Sequence, residues 1–531
     1  MKSKPDLGFW KLWNLSFGFF GVQIAYALQS AQVSRIFSTI GADPHSLSYF
    51  WILPPLMGLI VQPIIGTLSD KTWNRFGRRL PYLLIGASVA IIVMCFLPNA
   101  GSLGLSVSAA ILFGLIMLMF LDTSINMAMQ PFKMLVGDFV NEKQKGLAYS
   151  IQSFLCNAGS LVGYVAPIIL ALFLSNTAPE GEVPPTVIWS FYLGAIILVL
   201  CVIYTFAKVK EMPPKEYAEY HGLEQKMEPS PEDKKEGIVK ILAKAPKVFW
   251  TVGLVQFFCW SAFLYMWTYS TDAIAGRAFH TPAVDMVDAI NINGQTYHEK
   301  NLFQGQMPIV LNGQIQEENI SKVEPSTPLT IAHSATEHAG TWNFVQSQEV
   351  QGTAWEGITL HNTTVLNAAS AQYQEAGNWY GVLLAIQAIA ALVWALVLAK
   401  FSNRRMGYCV SLLIGAAGFI STYFFTNPWL LSISYALVGC AWAAMLAMPF
   451  TILTNALGGN HIGTYLGLFN CTICIPQIIA AICGGAILSI FPLAANGTYQ
   501  TVWMLVVAGV LLAIGACAVW NVKETYGSQS K

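Results

Sequence analysis

Residues 108–138 read SAAILFGLIMLMFLDTSINMAMQPFKMLVGD. An uninterrupted apolar run leads into an acid, Asp122, followed four residues later by Asn126 and then by Pro131, Lys133 and Asp138. About 20 mostly apolar residues suffice for a helix to cross the hydrocarbon layer of a membrane, and this stretch meets that requirement. A carboxylate inside such a span costs about 2.5–3.5 kcal/mol on insertion scales, so acids there normally face a cavity and serve a function. Removal from water disfavours the charged form of an acid, which is the property a proton carrier uses. The alternative is structural: Asp122 bracing a helix contact through Asn126, one turn on along the same face.

The same pattern repeats along the chain. Of 531 residues 55% are hydrophobic and 11% charged, with a mean hydropathy of +0.53, which excludes an ordinary soluble protein. The length criterion gives about twelve spans, near 9–33, 46–69, 79–98, 105–131, 145–174, 186–207, 248–273, 377–400, 407–426, 428–456, 462–490 and 499–520. The expected fold is therefore all-α and integral to the membrane. The opening segment begins with Lys2, Lys4 and Lys11 and then runs apolar without a small-residue cleavage site, so the first span reads as uncleaved. The ten cysteines all fall in expected helices, which implies no disulfide framework; Cys471 and Cys474 read as small packing residues.

Basic residues mark the cytoplasmic side. Lys71, Arg75, Arg78 and Arg79, then Lys133, Lys143 and Lys145, then Arg404 and Arg405 share one side if both termini are cytoplasmic. The expected organisation is a six-helix half (1–207), a charged cytoplasmic linker (208–247), helix 7 (248–274), an extracytoplasmic insertion (275–374) and helices 8–12 (375–531). QMPIVLNG and EGITLHNTTVL in the insertion alternate and carry β-branched residues, as a small β-rich domain would. MQPFKMLVGDFVNEKQKGLAYS and AMPFTILTNALGGNHIGTYLGL echo one another between the two halves.

After the second span comes GTLSDKTWNRFGRRLPYLLIG (66–86), which sets Asp70 beside Arg75, Gly77, Arg78 and Arg79. Opposite charges around a tight turn suit a latch that closes the cytoplasmic helix ends in one state and releases them in another. RFGRRLP preceded by GTLSD resembles the matching loop of plant sucrose–proton symporters and their animal and bacterial relatives within the major facilitator superfamily. GVQIAYALQ, LPPLMGLIVQPIIGTLSD and LGLFNCTICIPQ are similar to further segments of that family, in order. The resemblance leaves out 275–374, has Leu80 where the plant proteins carry another arginine, and has Lys133 in place of an arginine.

That resemblance implies a twelve-helix major facilitator fold of two six-helix halves, with Asp122 as the proton-coupling carboxylate and Lys133 and Asp138 joining the cytoplasmic gate. It also implies a glucose-containing disaccharide of the sucrose or maltose type as substrate and the proton as coupling ion, with no other cofactor and no metal. Polar and aromatic residues on the core helices make the substrate-binding candidates: Gln23, Tyr26, Gln29, Gln62, Asn126, Gln152, Asn157, Gln256, Trp260, Tyr265 and Asn470. Trp267, Tyr269 and Trp379 read as an interfacial belt and Asp272 as the solvated start of the insertion. Sodium coupling, uncoupled transport and a sugar sensor that carries no flux remain open. No HExxH, phosphate loop or nucleophile–base spacing points to an enzyme. The basic stretches flank membrane spans, so lipid and not nucleic acid is the expected neighbour. The insertion reads as a protein-recruiting or entrance-shielding element, and the compact loops suit a bacterial cytoplasmic membrane.

Overall fold

The computed structural model describes residues 4–105, 107–141, 144–179, 181–213, 245–292, 295–298, 306–311, 314–319, 329–331, 349–350, 358–398, 400–401, 403–456 and 468–522. Most of the expected linker (214–244) and Gly467 lie outside them. Unpaired backbone groups cost several kcal/mol in hydrocarbon, so each span must close its hydrogen bonds within itself as a helix. The first half comprises α1 (Phe9–Ile40), α2 (Pro44–Phe50), α3 (Leu53–Lys71), α4 (Leu80–Phe96), α5 (Val107–Phe139), α6 (Lys145–Leu170) and α7 (Pro185–Lys208). The second comprises α8 (Lys247–Ala278), α9 (Ala371–Leu398), α10 (Arg404–Ser421), α11 (Pro428–Ala456), α12 (Cys471–Leu488) and α13 (Val502–Ala518). With α2 and α3 sharing one crossing, these helices make the twelve-span membrane scaffold.

The span expected at 46–69 is divided for a local reason. Gly41 ends α1 in the left-handed region (φ 116°), where its N–H reaches Phe37 O and Ser38 O. Asp43 then caps α2 by accepting from His45 N at 3.1 Å, with Pro44 in the first helical turn. Trp51 falls in the break before α3. The first span also runs to Ile40 and not 33, because Arg35 finds buried partners described below. Ten stretches among the described residues are long and apolar enough to cross a membrane by themselves; α1 and α10 are not among them. Gln23, Gln29, Gln32 and Arg35 on α1 are all buried by neighbouring helices, so this helix need not be apolar.

α1 packs against α5, α6 and α7, and α8 against α11, α12 and α13. The close approach of α6 to α1 depends on two glycines one turn apart. A Cβ at Gly159 would meet Phe20 O, and one at Gly163 would lie 2.7 Å from Ala27 Cβ and 2.9 Å from Ile24 O. Small residues at this spacing let membrane helices approach backbone to backbone.

The insertion leaves α8 after Ala278 and returns at Ala371, so it is shorter at both ends than the expected 275–374. Its strands β1 (Ala283–Ile292), β2 (Gln295–His298) and β7 (Ile358–Leu366) form one antiparallel sheet in the order β2-β1-β7. β3 (Gln306–Leu311), β4 (Gln314–Asn319), β5 (Leu329–Ile331) and β6 (Glu349–Val350) form another in the order β4-β3-β5-β6. β1 and β7 register Ala283 on Leu366, and Asn367 N donates to Pro282 O at 2.7 Å, so the two ends of the insertion are held together.

The two halves touch toward this insertion face. A Cβ at Gly484 on α12 would lie 2.8 Å from Ser48 Cβ on α2, one at Gly485 2.5 Å from His45 O, and one at Gly381 on α9 would meet Tyr164 O on α6. Replacement Gly163→Leu should overpack the α1–α6 seam at a cost of about 1–3 kcal/mol. It would be read as a lower unfolding midpoint in detergent; an unchanged midpoint would contradict so close a seam.

Candidate functional site

Asp122 lies near the middle of α5 and is 2% exposed. Its Oδ1 accepts from Gln29 Nε2 on α1 at 2.6 Å, and its Oδ2 has no hydrogen-bond partner among the described residues. Asn126 does not bond the carboxylate: its Nδ2 donates to the Asp122 backbone carbonyl at 2.8 Å, the local i−4 bond common for short polar side chains in helices. The carboxylate is therefore tied to α1, and bracing through Asn126 is not what the geometry provides. Asn126 Oδ1 accepts instead from Gln62 Nε2 on α3 at 2.7 Å.

The second half reaches this cluster through α12. A Cβ at Gly58 would lie 3.7 Å from Asn126 Oδ1 and 3.9 Å from Cys474 Sγ, so α3, α5 and α12 converge there. Asn470 Nδ2 lies 3.8 Å from the same sulfur. Tyr26, one turn before Gln29, stands within electrostatic range of Asp122, Tyr164 and Cys474. Tyr26, Gln29, Gln62, Asp122, Asn126 and Asn470 thus gather around one place between the halves. None of the ten cysteines forms a disulfide.

Other candidates bond elsewhere. Gln152 Nε2 donates to Phe132 O (3.1 Å) and braces α6 on α5, while Asn157 Nδ2 donates to Ser153 O within its own helix (2.8 Å). Gln23 lies against α6 beside Gly159. Gln256 is buried, with Tyr408 OH of α10 donating to its Oε1 at 3.4 Å. Tyr265 is buried with its ring 6.2 Å from that of Tyr269.

Trp260 belongs to an aromatic cluster that the sequence reading only partly found. Its ring lies 5.9 Å from Trp442 and 6.4 Å from Trp267, and Trp51 from the first half stacks on Trp267 at 6.2 Å and 20°. Trp51 Nε1 donates to Ser34 Oγ (2.9 Å), which donates to Trp267 O (3.0 Å), so this cluster crosses between the halves. Trp260 Nε1 is buried without a partner among the described residues.

Three belt or surface assignments are corrected here. Trp267 is 5% exposed and Tyr269 0%, because the other half and α12 cover the end of α8. Asp272 is 4% exposed and accepts from Tyr373 OH at 2.5 Å, so it is an interior acid and not a solvated one. Trp379 is half-buried, with its Nε1 bonded to Pro428 O at 3.0 Å.

At the opposite, basic face, Arg78 Nη2 and Arg79 Nε reach Asp138 Oδ2 at 2.8 and 3.2 Å, and Arg79 Nη1 also donates to Ser69 Oγ. Arg75 lies over the Phe76 ring at 4.6 Å. The backbone turns at Gly77 (φ 111°), a conformation that suits glycine. The side chains of Asp70 and Lys133 lie outside the described residues. Sequence reasoning missed Glu211, placed in the solvated linker. Its Oε2 accepts from Arg78 N (2.8 Å) and its Oε1 from Arg79 N (2.7 Å) and Leu80 N (2.6 Å), so it caps the start of α4. The available signal was its place as the first acid after the sixth span, directly before the sequence Met-Pro-Pro. Arg35, the one basic residue inside the first span's polar stripe, was likewise passed over.

Two family models match the chain: "MFS/sugar transport protein" over residues 21–280 and "Major Facilitator Superfamily" over 350–530. A sucrose transport protein of Arabidopsis thaliana is 27% identical over 218 residues, 36% of this chain and 36% of that protein. A proton-associated sugar transporter A of Rattus norvegicus is 24% identical over 216 residues, 39% of this chain and 28% of that protein. The chain thus matches about a third of the length of these curated relatives. Among solved structures, a D-xylose-proton symporter superposes with a TM-score of 0.57 at 14% identity, covering 98% of each chain. A bacterial homologue of the lysosomal transporter Spinster, in an inward-facing and occupied conformation, does so with 0.58 at 12% identity, covering 97% of this chain and 96% of that one. These proteins are named as transporters, not enzymes.

Replacing Glu211 by alanine leaves three amides at a helix start without their acceptor. A loss of about 1–2 kcal/mol is expected, visible as a lower melting midpoint and faster amide exchange over residues 78–84.

Proposed function

Because the chain belongs to the major facilitator superfamily, we propose that it is a proton-coupled sugar symporter that works by alternating access. The observation that carries this reading is Asp122, a carboxyl held between helices by a hydrogen bond from Gln29, with its other oxygen lacking a partner among the described residues. The basic face is taken as cytoplasmic by the bias of lysine and arginine. Contact of the halves at the insertion face then corresponds to a carrier closed to the outside.

Gln29 suits both protonation states of Asp122. Its Nε2 donates to the carboxylate, and its Oε1, which has no partner among the described residues, offers an acceptor to a protonated carboxyl after an amide flip. The neutral acid can stay in the interior while the halves exchange contacts; the charged acid resists that step because it must be desolvated. If sugar and proton both favour the same closed intermediate, each raises the affinity for the other. The gradient of one then drives the other.

Gln62, Asn126 and Asn470 supply amide groups for sugar hydroxyls, and the tryptophans supply apolar faces for pyranose rings. A glucose-containing disaccharide of the sucrose or maltose type is the proposed substrate, a reading that similarity to a sucrose transport protein supports, while similarity to a proton-associated sugar transporter supports the proton coupling. A bacterial cytoplasmic membrane with both termini inside completes the proposal.

The test is uptake into proteoliposomes of labelled sucrose, maltose, lactose and glucose, with an inward proton gradient, an inward sodium gradient, or none. Wild type should accumulate one disaccharide only with the proton gradient. Asp122→Asn should lose accumulation while retaining exchange of internal for external sugar. Uphill uptake by Asp122→Asn, or accumulation driven by sodium alone, would refute proton coupling at this residue.

A further inference from the structure

Arg35 is 0% exposed, yet among the described residues its hydrogen bonds go to no carboxylate. Its guanidinium donates to amide oxygens: Nε to Gln374 (2.7 Å), Nη1 to Asn378 (2.7 Å) and Gln32 (3.1 Å), and Nη2 to Asn176 (3.1 Å). Gln374 and Asn378 belong to α9 of the second half, while Asn176 lies in the connection after α6 of the first. The acid nearby, Asp272, is engaged by Tyr373 OH at 2.5 Å. Among the described residues no carboxylate pairs with Arg35, so its positive charge is not cancelled by an ion pair at the place where the two halves close.

The fit is steric as well as polar. α9 carries Gly377 and Gly381 one turn apart; a Cβ at Gly377 would meet Arg35 Cδ, and one at Gly381 would meet Tyr164 O. The arginine stem lies in a groove that exists only because residue 377 lacks a side chain. Asn378 Nδ2 also donates to Asn176 Oδ1 (2.9 Å), Thr186 Oγ1 donates to the same oxygen (2.7 Å), and Gln374 Nε2 donates to Thr39 Oγ1 (3.0 Å). Four segments are thus fastened around one cation.

We propose that Arg35, seated in the Gly377 groove, is the insertion-side gate of this protein and that its unneutralised charge makes the closed gate impermeable to protons and other cations as well as to solute. Buried fixed positive charge at a constriction repels cations far more effectively than an apolar plug of the same size. The neutral amide partners are what this needs, since they satisfy the donors without cancelling the charge. Arg35 stands six residues, about 9 Å of helix rise, from Gln29, which bonds Asp122. The gate therefore guards the coupling acid from the insertion side. The gating role applies to a carrier of any solute; only the link to Asp122 rests on the proton-coupling reading above.

The test compares wild type, Arg35→Gln, Arg35→Lys, Gly377→Ala and the double variant Arg35→Gln with Asp122→Asn. Amide hydrogen exchange is followed over residues 371–381. Substrate-free proton entry is followed in proteoliposomes holding a pH-sensitive dye under an imposed inside-negative potential. Arg35→Gln should raise both exchange and proton entry several-fold. Gly377→Ala, which displaces the arginine stem but keeps its charge, and Arg35→Lys, which keeps the charge but loses the fork of donors, should raise exchange with a smaller leak. Exchange in Arg35→Gln and Gly377→Ala equal to wild type would overturn the gate. Raised exchange in Arg35→Gln with wild-type proton tightness would overturn the role of the charge. Leak through Arg35→Gln that survives in the double variant would uphold the gate while removing Asp122 from the proton path.

Discussion

The structure is organised by the cost of holding charge where water is scarce. Asp122 and Arg35 both sit in the interior, and each dictates what surrounds it. Asp122 needs a donor that tolerates loss of the charge, and a glutamine on α1 supplies it. Arg35 needs several oxygens at once and draws them from both halves. Both requirements fall on α1, which is why that helix is buried by its neighbours and is among the most polar of the spans.

Much of this architecture is legible in the sequence, because a membrane leaves helices as the form available to a span and asks each for about 20 apolar residues. The acid at 122 and the basic loop at 75–79 stand out from that background for the same reason. What escapes is whatever depends on distant partners. Arg35 prolongs α1 through bonds to residues 339 and 343 positions away. Trp267, Tyr269 and Asp272 look like interfacial residues by their place near the end of a helix, but α2 with the break after it, α9 and α12 fold over them. Glu211 looks like part of a solvated charge run until the start of α4 is found beside it. Trp51 and Trp267, far apart in the chain, stack only because the halves close on one another.

The two halves share a scaffold without sharing its chemistry. Pro131 in α5 and Pro449 in α11 occupy matching places in the echoing segments, and both sit inside their helices. Seven residues on, however, the first half has Asp138, which holds Arg78 and Arg79, while the second has Ala456. The described ion pairs at the basic face therefore lie within one half.

The hydrogen bond from Asn367 to Pro282 and the pairing of β1 with β7 bring the two ends of the insertion to the spacing of neighbouring strands. Closing this long excursion at its base carries an entropy cost that grows only slowly with its length, about 0.6 kcal/mol per doubling. For the membrane helices α8 and α9, the segment beyond that base is equivalent to a tight hairpin. A module whose ends lie a strand's width apart can be carried there while the helical core keeps its geometry.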